Sequence, residues 1–324
     1  MNELLSVESL RCEYQMGSSL AARLRGRDAP VLRAINNISF RVAAGSAVGI
    51  VGESGCGKST LANAIIGLVA PTAGTIRLAG TVLPRHRDLE TKRRIQMVFQ
   101  DPGASLNPKM TIGDALCEVL RVHGLRRGSD IRGRCAELLD LVELPASAFE
   151  ARPAALSGGQ RQRAAIARAL ALEPDLLIAD EAVAALDVSV QAAILNLLND
   201  LRARLGLTML FISHDLGVVR QVTNRVLVLY LGRVVEDQPT DELFTDPRHP
   251  YTQALLAAAP KMTVRKAPGQ SALAGEVPKA LGHPQGCPFA SRCVRAEVRC
   301  RVSTPALDGP NRTHAAACHF AWST

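Results

Sequence analysis

The sequence predicts an α/β protein with a parallel β-sheet, followed by a smaller segment at its carboxyl end. Three stretches support this fold class. "SAVGIVG" at 46–52 is a short apolar run that leads through a glycine-rich loop into "TLANAIIGL", whose apolar spacing is helical and ends at Gly67. "DLLIAD" at 175–180 and "TMLFISHDL" at 208–216 are further short apolar runs. Such runs are typical of strands buried on both faces of a parallel sheet.

The size and hydropathy of the chain favour a globular protein. It has 324 residues, of which 47% are hydrophobic, enough for one large domain with a sizeable core and a smaller appendage. Its start, "MNELLSVESL", carries acidic residues, and no uncharged apolar run reaches the roughly 18 residues of a membrane span. We therefore expect neither export nor membrane insertion.

The charge bears on possible nucleic-acid partners, and the cysteine content bears on the cellular compartment. The net charge is +8, but the basic residues are scattered and only 3% of residues are aromatic. Because binders of single-stranded nucleic acid need aromatic stacking platforms, we expect no nucleic-acid partner. Eight cysteines without an export signal indicate a reducing compartment, where grouped thiols serve more often as metal ligands or catalytic groups than as structural disulfides.

The glycine-rich loop matches a phosphate-binding motif. The pattern Gly52-x-x-x-x-Gly57-Lys58-Ser59 lies between a strand and a helix, and its glycines let backbone N–H groups converge on phosphate oxygens at the positive end of the helix. Lys58 is expected to reach the β and γ phosphates, and the Ser59 hydroxyl to ligate Mg²⁺. The predicted nucleotide contacts are Gly52, Glu53, Ser54, Gly55, Cys56, Gly57, Lys58, Ser59 and Thr60.

Polar side chains follow three of the predicted strands. Asp180 and Glu181 end "DLLIAD" and begin the next turn, where Asp180 is placed to hold Mg²⁺ through water and Glu181 to take a proton from an attacking water. His214 follows "TMLFIS" and is expected to contact the γ-phosphate. Gln100 follows the strand in "RIQMVFQDP" and is predicted to sense Mg²⁺ or the attacking water. In open α/β folds, ligands bind at this edge of the sheet.

A second phosphate-binding segment is predicted at "LSGGQRQRAAIARAL", residues 156–170. It would offer an anion a serine hydroxyl, free N–H groups and a helix N-terminus. Two such segments in one chain suggest that the second serves the ATP of a neighbouring subunit. Its predicted contact residues are Ser157, Gly158, Gly159 and Gln160.

Together these motifs resemble the ATP-binding subunits of ABC transporters. The phosphate loop, Gln100, "LSGGQ", the strand with Asp180 and Glu181, "AALD" and His214 occur in the order seen in that family, and the resemblance covers about residues 5–240. It implies a P-loop NTPase (RecA-like) core with an antiparallel β subdomain and a helical subdomain. The implied boundaries are 1–240 for the nucleotide-binding domain, about 101–170 for the helical subdomain, and 241–324 for a cysteine-containing C-terminal extension.

The resemblance also implies a head-to-tail dimer with ATP between the two copies. In it, Asp187 of "AALD" would communicate between the two sites, and Tyr14 in "LRCEYQM" would stack on adenine. One segment departs from the family pattern D-E-P-T-S-A-L-D, since this chain reads "DEAVAALD". The missing proline and hydroxyls are expected to loosen the turn and to weaken contacts between the subunits.

The carboxyl end holds four cysteines, Cys287, Cys293, Cys300 and Cys318, separated by five, six and seventeen residues. These gaps are wider than those of common zinc sites, and spacing alone leaves zinc, an iron–sulfur cluster and unligated thiols open. "QDPGASLNPKMTI" and "DPRHPYTQALLAAAP" resemble the oligopeptide, dipeptide and nickel importer branch, some members of which carry four tail cysteines in a similar setting. That resemblance implies a [4Fe–4S] cluster.

The expected function is that of an ATP-hydrolysing subunit, using ATP and Mg²⁺, that powers an importer of peptides or related solutes from the cytoplasmic face of the membrane. The implied partners are a second ATPase subunit, identical or homologous, two transmembrane permease subunits and, indirectly, an extracytoplasmic solute-binding protein. Two alternatives remain at this stage: a soluble ABC-type ATPase acting on nucleic acid or ribosomes, and a weakly hydrolysing regulatory subunit.

Overall fold

The structure is a computed structural model that describes residues 2–16, 31–125, 130–258, 285–311 and 313–322. The chain divides into two compact units. The first comprises residues 1–4, 42–47 and 83–212, and the second comprises residues 5–41, 48–82 and 213–324. Within the described residues, no helix is both long and apolar enough to cross a membrane.

The strands of the described residues are β1 (Glu3–Gln15), β2 (Val31–Ala43), β3 (Ala47–Val51), β4 (Ala73–Leu78), β5 (Thr81–Val82), β6 (Ile95–Val98), β7 (Leu176–Asp180), β8 (Thr208–Ser213), β9 (Arg225–Tyr230), β10 (Arg233–Pro239), β11 (Asp308–Asn311) and β12 (His314–Ala316). The α-helices are α1 (Lys58–Ile66), α2 (Leu89–Arg94), α3 (Pro102–Ser105), α4 (Ile112–Val122), α5 (Asp130–Leu141), α6 (Gly158–Leu170), α7 (Val188–Leu205), α8 (Leu216–Val222), α9 (Thr240–Thr245), α10 (Pro250–Ala258) and α11 (Val298–Val302). Short 3₁₀ helices cover Ala146–Glu150 and Pro153–Ala155.

The first unit contains a ladder of three parallel strands. β7 lies in the middle and pairs with β6 on one side and β8 on the other, with Ile178 opposite Met97 and Leu210. Every residue of β7 is buried, which explains why its sequence is a continuous apolar run. Because parallel strands end at one edge, Gln100 after β6 and Glu181 after β7 leave the ladder on the same side.

The helices α4, α5 and α6 of the first unit lie within the predicted helical subdomain. α4 begins at a capping box, in which the Thr111 hydroxyl accepts the N–H of Asp114 and the Asp114 carboxylate accepts the N–H of Thr111. Its inner face is apolar, and a Cβ on Gly113 would lie 2.5 Å from the Phe149 ring. The sulfurs of Cys117 on α4 and Cys135 on α5 are 3.5 Å apart in this interior, where both act as small apolar side chains.

The second unit contains an antiparallel sheet in the order β2-β1-β4-β5, which agrees with the expected antiparallel subdomain. β1 and β4 pair with Leu5 opposite Leu78 and Val7 opposite Ile76, and these four side chains are buried. The register then shifts between Glu8 and Arg11, which interrupts the alternation of buried and exposed residues in β1.

The second unit also contains the strands that carry the phosphate loop and the carboxyl-terminal segment. β3 is parallel to β9, β9 is antiparallel to β10, and β10 is antiparallel to β12, with Glu236 opposite Ala316. The carboxyl-terminal segment, described at residues 285–311 and 313–322 and called the tail below, therefore adds its strands to β10 through backbone hydrogen bonds. The predicted boundary between residues 240 and 241 stays a prediction.

Candidate functional site

The phosphate loop joins β3 to α1, as its sequence predicts. Lys58 is 5% exposed, and its ammonium donates to the carbonyl oxygens of Gly52 (2.7 Å) and Glu53 (3.1 Å). These two bonds fold the lysine back along the loop, so that the ammonium lies within the ring of backbone that the motif forms. A cation and several N–H groups held this way suit a polyphosphate.

Two glycines are required by close approaches of backbone. Gly57 precedes α1 with φ 109°, and a Cβ there would lie 2.3 Å from the carbonyl oxygen of Ala34. A Cβ on Gly52 would lie 2.3 Å from the carbonyl oxygen of Leu229. No other residue type fits either position without moving backbone. α1 ends before Gly67, as predicted, and Gly67 itself has the left-handed conformation.

The remaining loop residues divide by exposure. Ser54, Gly55 and Ser59 are exposed, so their polar groups are accessible to a nucleotide. The Cys56 side chain is 1% exposed and lies beneath the loop, where burial raises the pKa of its thiol. Only backbone atoms of Cys56 are therefore placed for a nucleotide contact.

Glu53 is held by two residues that sequence analysis did not identify. Its carboxylate accepts two bonds from the Arg292 guanidinium, at 2.7 Å from Nη1 to Oε2 and 3.0 Å from Nη2 to Oε1. Its backbone N–H donates to the hydroxyl of Tyr251 at 2.9 Å. The ion pair raises the pKa of Arg292, chiefly through the hydrogen bonds to Glu53. Nothing in the linear sequence signals either contact.

The carboxylates after β7 lie at a tight turn. Asp180 is 8% exposed, and Glu181 follows with φ 47°, a left-handed conformation that a glutamate adopts only when its surroundings hold it. The Glu181 N–H donates to the Ile212 carbonyl at 2.9 Å, and its own carbonyl accepts the Ala184 N–H at 3.0 Å. Both bonds lie at the turn where Ala182 replaces the proline of the family pattern; the expected loosening of this turn stays a prediction.

The polar residues predicted at other strand ends are accessible. Gln100 follows β6 and His214 follows β8, and both are exposed. Tyr14, near the end of β1, is 40% exposed, which leaves part of its ring free to stack. These positions are compatible with the predicted roles, which stay predictions.

The "LSGGQ" segment begins α6 with a capping box. The Ser157 hydroxyl accepts the Gln160 N–H at 3.2 Å, and the Gln160 side chain accepts the Ser157 N–H at 3.0 Å. The serine oxygen thereby still has its own O–H to donate to an anion. A Cβ on Gly159 would lie 2.5 Å from the Val190 side chain, so this position needs glycine for packing.

Asp187 has a local role that the sequence analysis missed. It precedes α7, and its carboxylate accepts the Val190 N–H at 3.0 Å and the Ser189 hydroxyl at 2.7 Å. These hydrogen bonds, the Val190 N–H first, lower the pKa of Asp187. The residue is an N-cap. Its predicted communication between two nucleotide sites stays a prediction.

The four tail cysteines line one small cavity. Cys287, Cys293, Cys300 and Cys318 all contribute to it, together with Phe289 and Phe320. Three of the sulfurs accept backbone N–H groups two residues further on: Cys287 from Phe289, Cys293 from Arg295 at 3.4 Å, and Cys318 from Phe320 at 3.5 Å. Such bonds stabilise a thiolate more than a thiol.

Burial raises the pKa of two of these thiols, Cys287 and Cys293, and so disfavours their free thiolates. Burial raises the pKa of Cys287 to about 11, and the neighbouring cysteines add to that rise. In the part of the chain that the structure describes, no group of three or more His, Cys, Asp or Glu side chains stands in an arrangement that could hold a metal ion.

The predicted site residues fall into both units. The phosphate loop, Tyr14, His214 and the four cysteines belong to the second unit. Gln100, Asp180, Glu181, Asp187 and the "LSGGQ" segment belong to the first. That all of them act on ATP stays a prediction.

Comparisons with protein families match two parts of this chain. Residues 35–184 match the family "ABC transporter", and residues 235–300 match "Oligopeptide/dipeptide transporter, C-terminal region". The second match includes Cys287, Cys293 and Cys300.

Similar proteins span nearly the whole chain. A protein of Sinorhizobium fredii, described as a peptide ABC transporter ATP-binding protein, is 47% identical over 98% of this chain and 89% of its own length. A Brucella ovis protein, described as a peptide import ATP-binding protein, is 44% identical over 97% of both chains.

Solved structures share the fold. The ATP-binding cassette MJ0796, in a dimeric post-hydrolysis state bound to ADP and Pi, is 31% identical with a TM-score of 0.61, over 71% of this chain and 96% of that one. The protein cbiO1 from Clostridium perfringens, part of the ABC transporter complex cbiONQ, is 26% identical with a TM-score of 0.64, over 76% of this chain and 92% of its own.

Proposed function

This chain belongs to the ABC transporter family, in the oligopeptide/dipeptide branch, and from that membership we propose that it hydrolyses ATP to drive peptide import. It is an ATPase that uses ATP and Mg²⁺. The observation that carries this function is the phosphate loop, in which the Lys58 ammonium is held beside the Gly52 and Glu53 carbonyls before a helix N-terminus. The alternative roles in nucleic-acid or ribosome biology find no support in these similarities.

The residues divide the chemistry among themselves. Backbone N–H groups from Gly52 to Thr60 and the Lys58 ammonium bind the β and γ phosphates. The Ser59 hydroxyl, Gln100 and Asp180 would hold Mg²⁺, which when bound neutralises phosphate charge. Glu181 takes the proton of the attacking water. His214 donates to the γ-phosphate, and Tyr14 stacks on the adenine.

A second copy completes the site. The structure of α6 supports this step, because Ser157 is exposed at the start of the helix and its hydroxyl keeps an O–H to donate. They suit the γ-phosphate of an ATP held by the facing subunit. The dimer is of identical or homologous subunits, and Asp187 lies between the two sites in it.

The chain is associated peripherally with the membrane through permease partners. We place it at the cytoplasmic face, with two transmembrane permease subunits and an extracytoplasmic solute-binding protein that reaches the assembly through them. The permeases dock near residues 100–120; Phe99, which directly precedes this segment, is 36% exposed.

Substitution of the general base tests the hydrolytic mechanism. Glu181→Gln is expected to bind MgATP and to accumulate as a closed dimer, with turnover reduced by about 10²–10⁴-fold because proton transfer is lost. The measurements are phosphate release and the oligomeric state by light scattering. Glu137→Gln, an exposed carboxylate on α5, serves as the control and should match the parent. Turnover of Glu181→Gln at the parent rate would remove this residue from the role of base.

Purification of the complex tests the partners. Extraction from membranes should bring along two hydrophobic subunits, and nucleic acid should leave ATP hydrolysis unchanged. Purification without membrane partners, together with ATP hydrolysis that RNA or DNA stimulates, would contradict the assignment as a transporter subunit.

The tail cysteines are proposed to hold a [4Fe–4S] cluster. In support, four thiols line one cavity, and three of them already accept backbone N–H groups. A [4Fe–4S] cluster is held by four cysteine thiolates, the number that line this cavity. The cluster would place positive charge beside the thiolates of Cys287, Cys293, Cys300 and Cys318.

Metal analysis of anaerobically purified protein tests this proposal. About four irons per chain and a brown colour are expected. Cys293→Ser should lower the iron content, whereas Cys117→Ser, a buried cysteine on α4, should not. Colourless protein with zinc or with no metal would overturn the cluster and leave the ATPase assignment standing.

A further inference from the structure

The carboxyl-terminal segment contacts the phosphate loop at one residue, Glu53. The Arg292 guanidinium binds its carboxylate through two N–H···O contacts of 2.7 and 3.0 Å. Arg292 is 239 positions away in sequence but belongs to the same compact unit. Two-point binding of this kind fixes the direction of a carboxylate as well as its distance.

The ion pair is shielded from water. The Arg292 side chain is 5% exposed and that of Glu53 is 22% exposed, so salt screens their attraction less than at the surface. Arg292 also lies over the rings of Tyr230 and Phe289, at 5.9 and 6.0 Å from their centroids. These aromatic contacts hold the guanidinium in place.

Glu53 is fixed at three points. Arg292 binds its carboxylate, the Tyr251 hydroxyl accepts its N–H at 2.9 Å, and its carbonyl accepts the Lys58 ammonium at 3.1 Å. The tail and α10 therefore act on the same backbone unit that positions the phosphate-binding lysine. Tyr251 in turn packs against Tyr230, with ring centroids 4.7 Å apart.

The charge of Glu53 makes this contact matter for nucleotide binding. A carboxylate beside a polyphosphate site repels the phosphates and can compete with them for Lys58. Paired with Arg292, the carboxylate is neutralised and turned toward the tail. Removal of the arginine would leave a partly buried, unpaired charge at the entrance of the loop.

Resting on the ATP-binding function proposed above, we propose that Arg292 is a positioning residue for the phosphate loop: by holding Glu53, it makes nucleotide affinity depend on the packing of the cysteine-bearing tail. Arg292 directly precedes Cys293, and Phe289, which follows Cys287 by two residues, packs edge-on against Tyr230 at 5.3 Å. Changes at the cysteine cavity therefore move the guanidinium. In this way the tail regulates nucleotide binding.

Calorimetric titration of the intact chain with a non-hydrolysable MgATP analogue tests the proposal, because it measures the Kd directly. Arg292→Gln is expected to raise the Kd about tenfold, which corresponds to about 1.4 kcal/mol. Arg292→Lys should restore part of the affinity, because it keeps the charge but loses the two-point contact. Arg301→Gln, an exposed arginine of the same tail, is the control and should bind like the parent. In turnover, Arg292→Gln should raise KM and leave kcat nearly unchanged.

A double-mutant cycle separates positioning from general damage to the fold. In the Glu53→Gln background, Arg292→Gln should no longer weaken binding, because the charge it neutralises is gone. Cys293→Ala should weaken binding in the parent but add nothing to Arg292→Gln.

Several outcomes would overturn the proposal. Unchanged affinity of Arg292→Gln would do so, and so would an equal loss in both backgrounds. An additive effect of Cys293→Ala would remove the link to the tail. In all of these cases the parent still binds and hydrolyses ATP, whereas failure of the proposed function would show as a parent that does neither.

Discussion

Substitution of Gly57 by alanine probes how the phosphate loop is built. The added Cβ would lie 2.3 Å from the Ala34 carbonyl oxygen, which belongs to backbone and cannot rotate away. Overpacking of this kind costs about 1–3 kcal/mol. Gly57 also has φ 109°, and holding alanine in such a conformation costs about 1–3 kcal/mol more. We expect Gly57→Ala to lower the free energy of unfolding by several kcal/mol, measured by urea denaturation without nucleotide.

Gly55 in the same loop provides the matched control. It has φ 79°, but a Cβ there would meet no atom within 4 Å. Gly55→Ala should therefore show the conformational cost alone, and the difference between the two variants isolates the clash with Ala34. Equal losses of stability in the two variants would refute the reasoning, because the close approach at Gly57 would then carry no energy.

Three further predictions concern a helix cap, a buried carboxyl and a hydroxyl. Ser157→Ala and Thr111→Ala should each lower the free energy of unfolding by about 1 kcal/mol, because each removes a helix cap. Only Ser157→Ala should impair ATP-dependent dimerisation. If both variants impaired dimerisation, the loss would be due to folding and not to a contact of Ser157 with ATP. Burial raises the pKa of Glu236 above its ordinary value of 4.5, so its contribution to stability is present below that pH and is lost as the pH rises through the raised pKa. Glu236→Gln should flatten the decline of the unfolding free energy from pH 4.5 upward, measured by denaturation at several pH values. An unchanged slope would count against this role of Glu236. Tyr251→Phe keeps the ring packing but removes the acceptor for Glu53 N–H, so denaturation should show a loss of about 1 kcal/mol; parent stability would contradict that bond.

The local motifs were predictable because their residues act on their immediate neighbours. Gly57 and Lys58 act within a continuous loop between a strand and a helix. Ser157 and Gln160 cap one helix from positions three residues apart. Backbone geometry and side-chain reach over so few residues depend little on the rest of the fold. For the same reason the sequence predicted the strand that ends at Asp180, although not the left-handed turn at Glu181.

Other features depend on neighbours that are distant in sequence. β1 was harder to predict from its pattern, because the register shift after Glu8 breaks the alternation of buried and exposed residues. The spacing of the four tail cysteines did not distinguish between zinc, an iron–sulfur cluster and unligated thiols. The pairing of β12 with β10, and the bond from the Ala317 N–H to the Val235 carbonyl, hold the last of them, Cys318, against this sheet.

The sequence by itself determined that this chain binds nucleotide phosphates and which family it resembles, since both follow from short motifs whose chemistry is local. Tertiary structure alone decided that Arg292 and Tyr251 meet Glu53, across separations of 239 and 198 residues. The physical reason is that such contacts form only after the sheet and the aromatic cluster have packed. A charge pair between residues so far apart in sequence leaves no recognisable periodicity or spacing in the sequence.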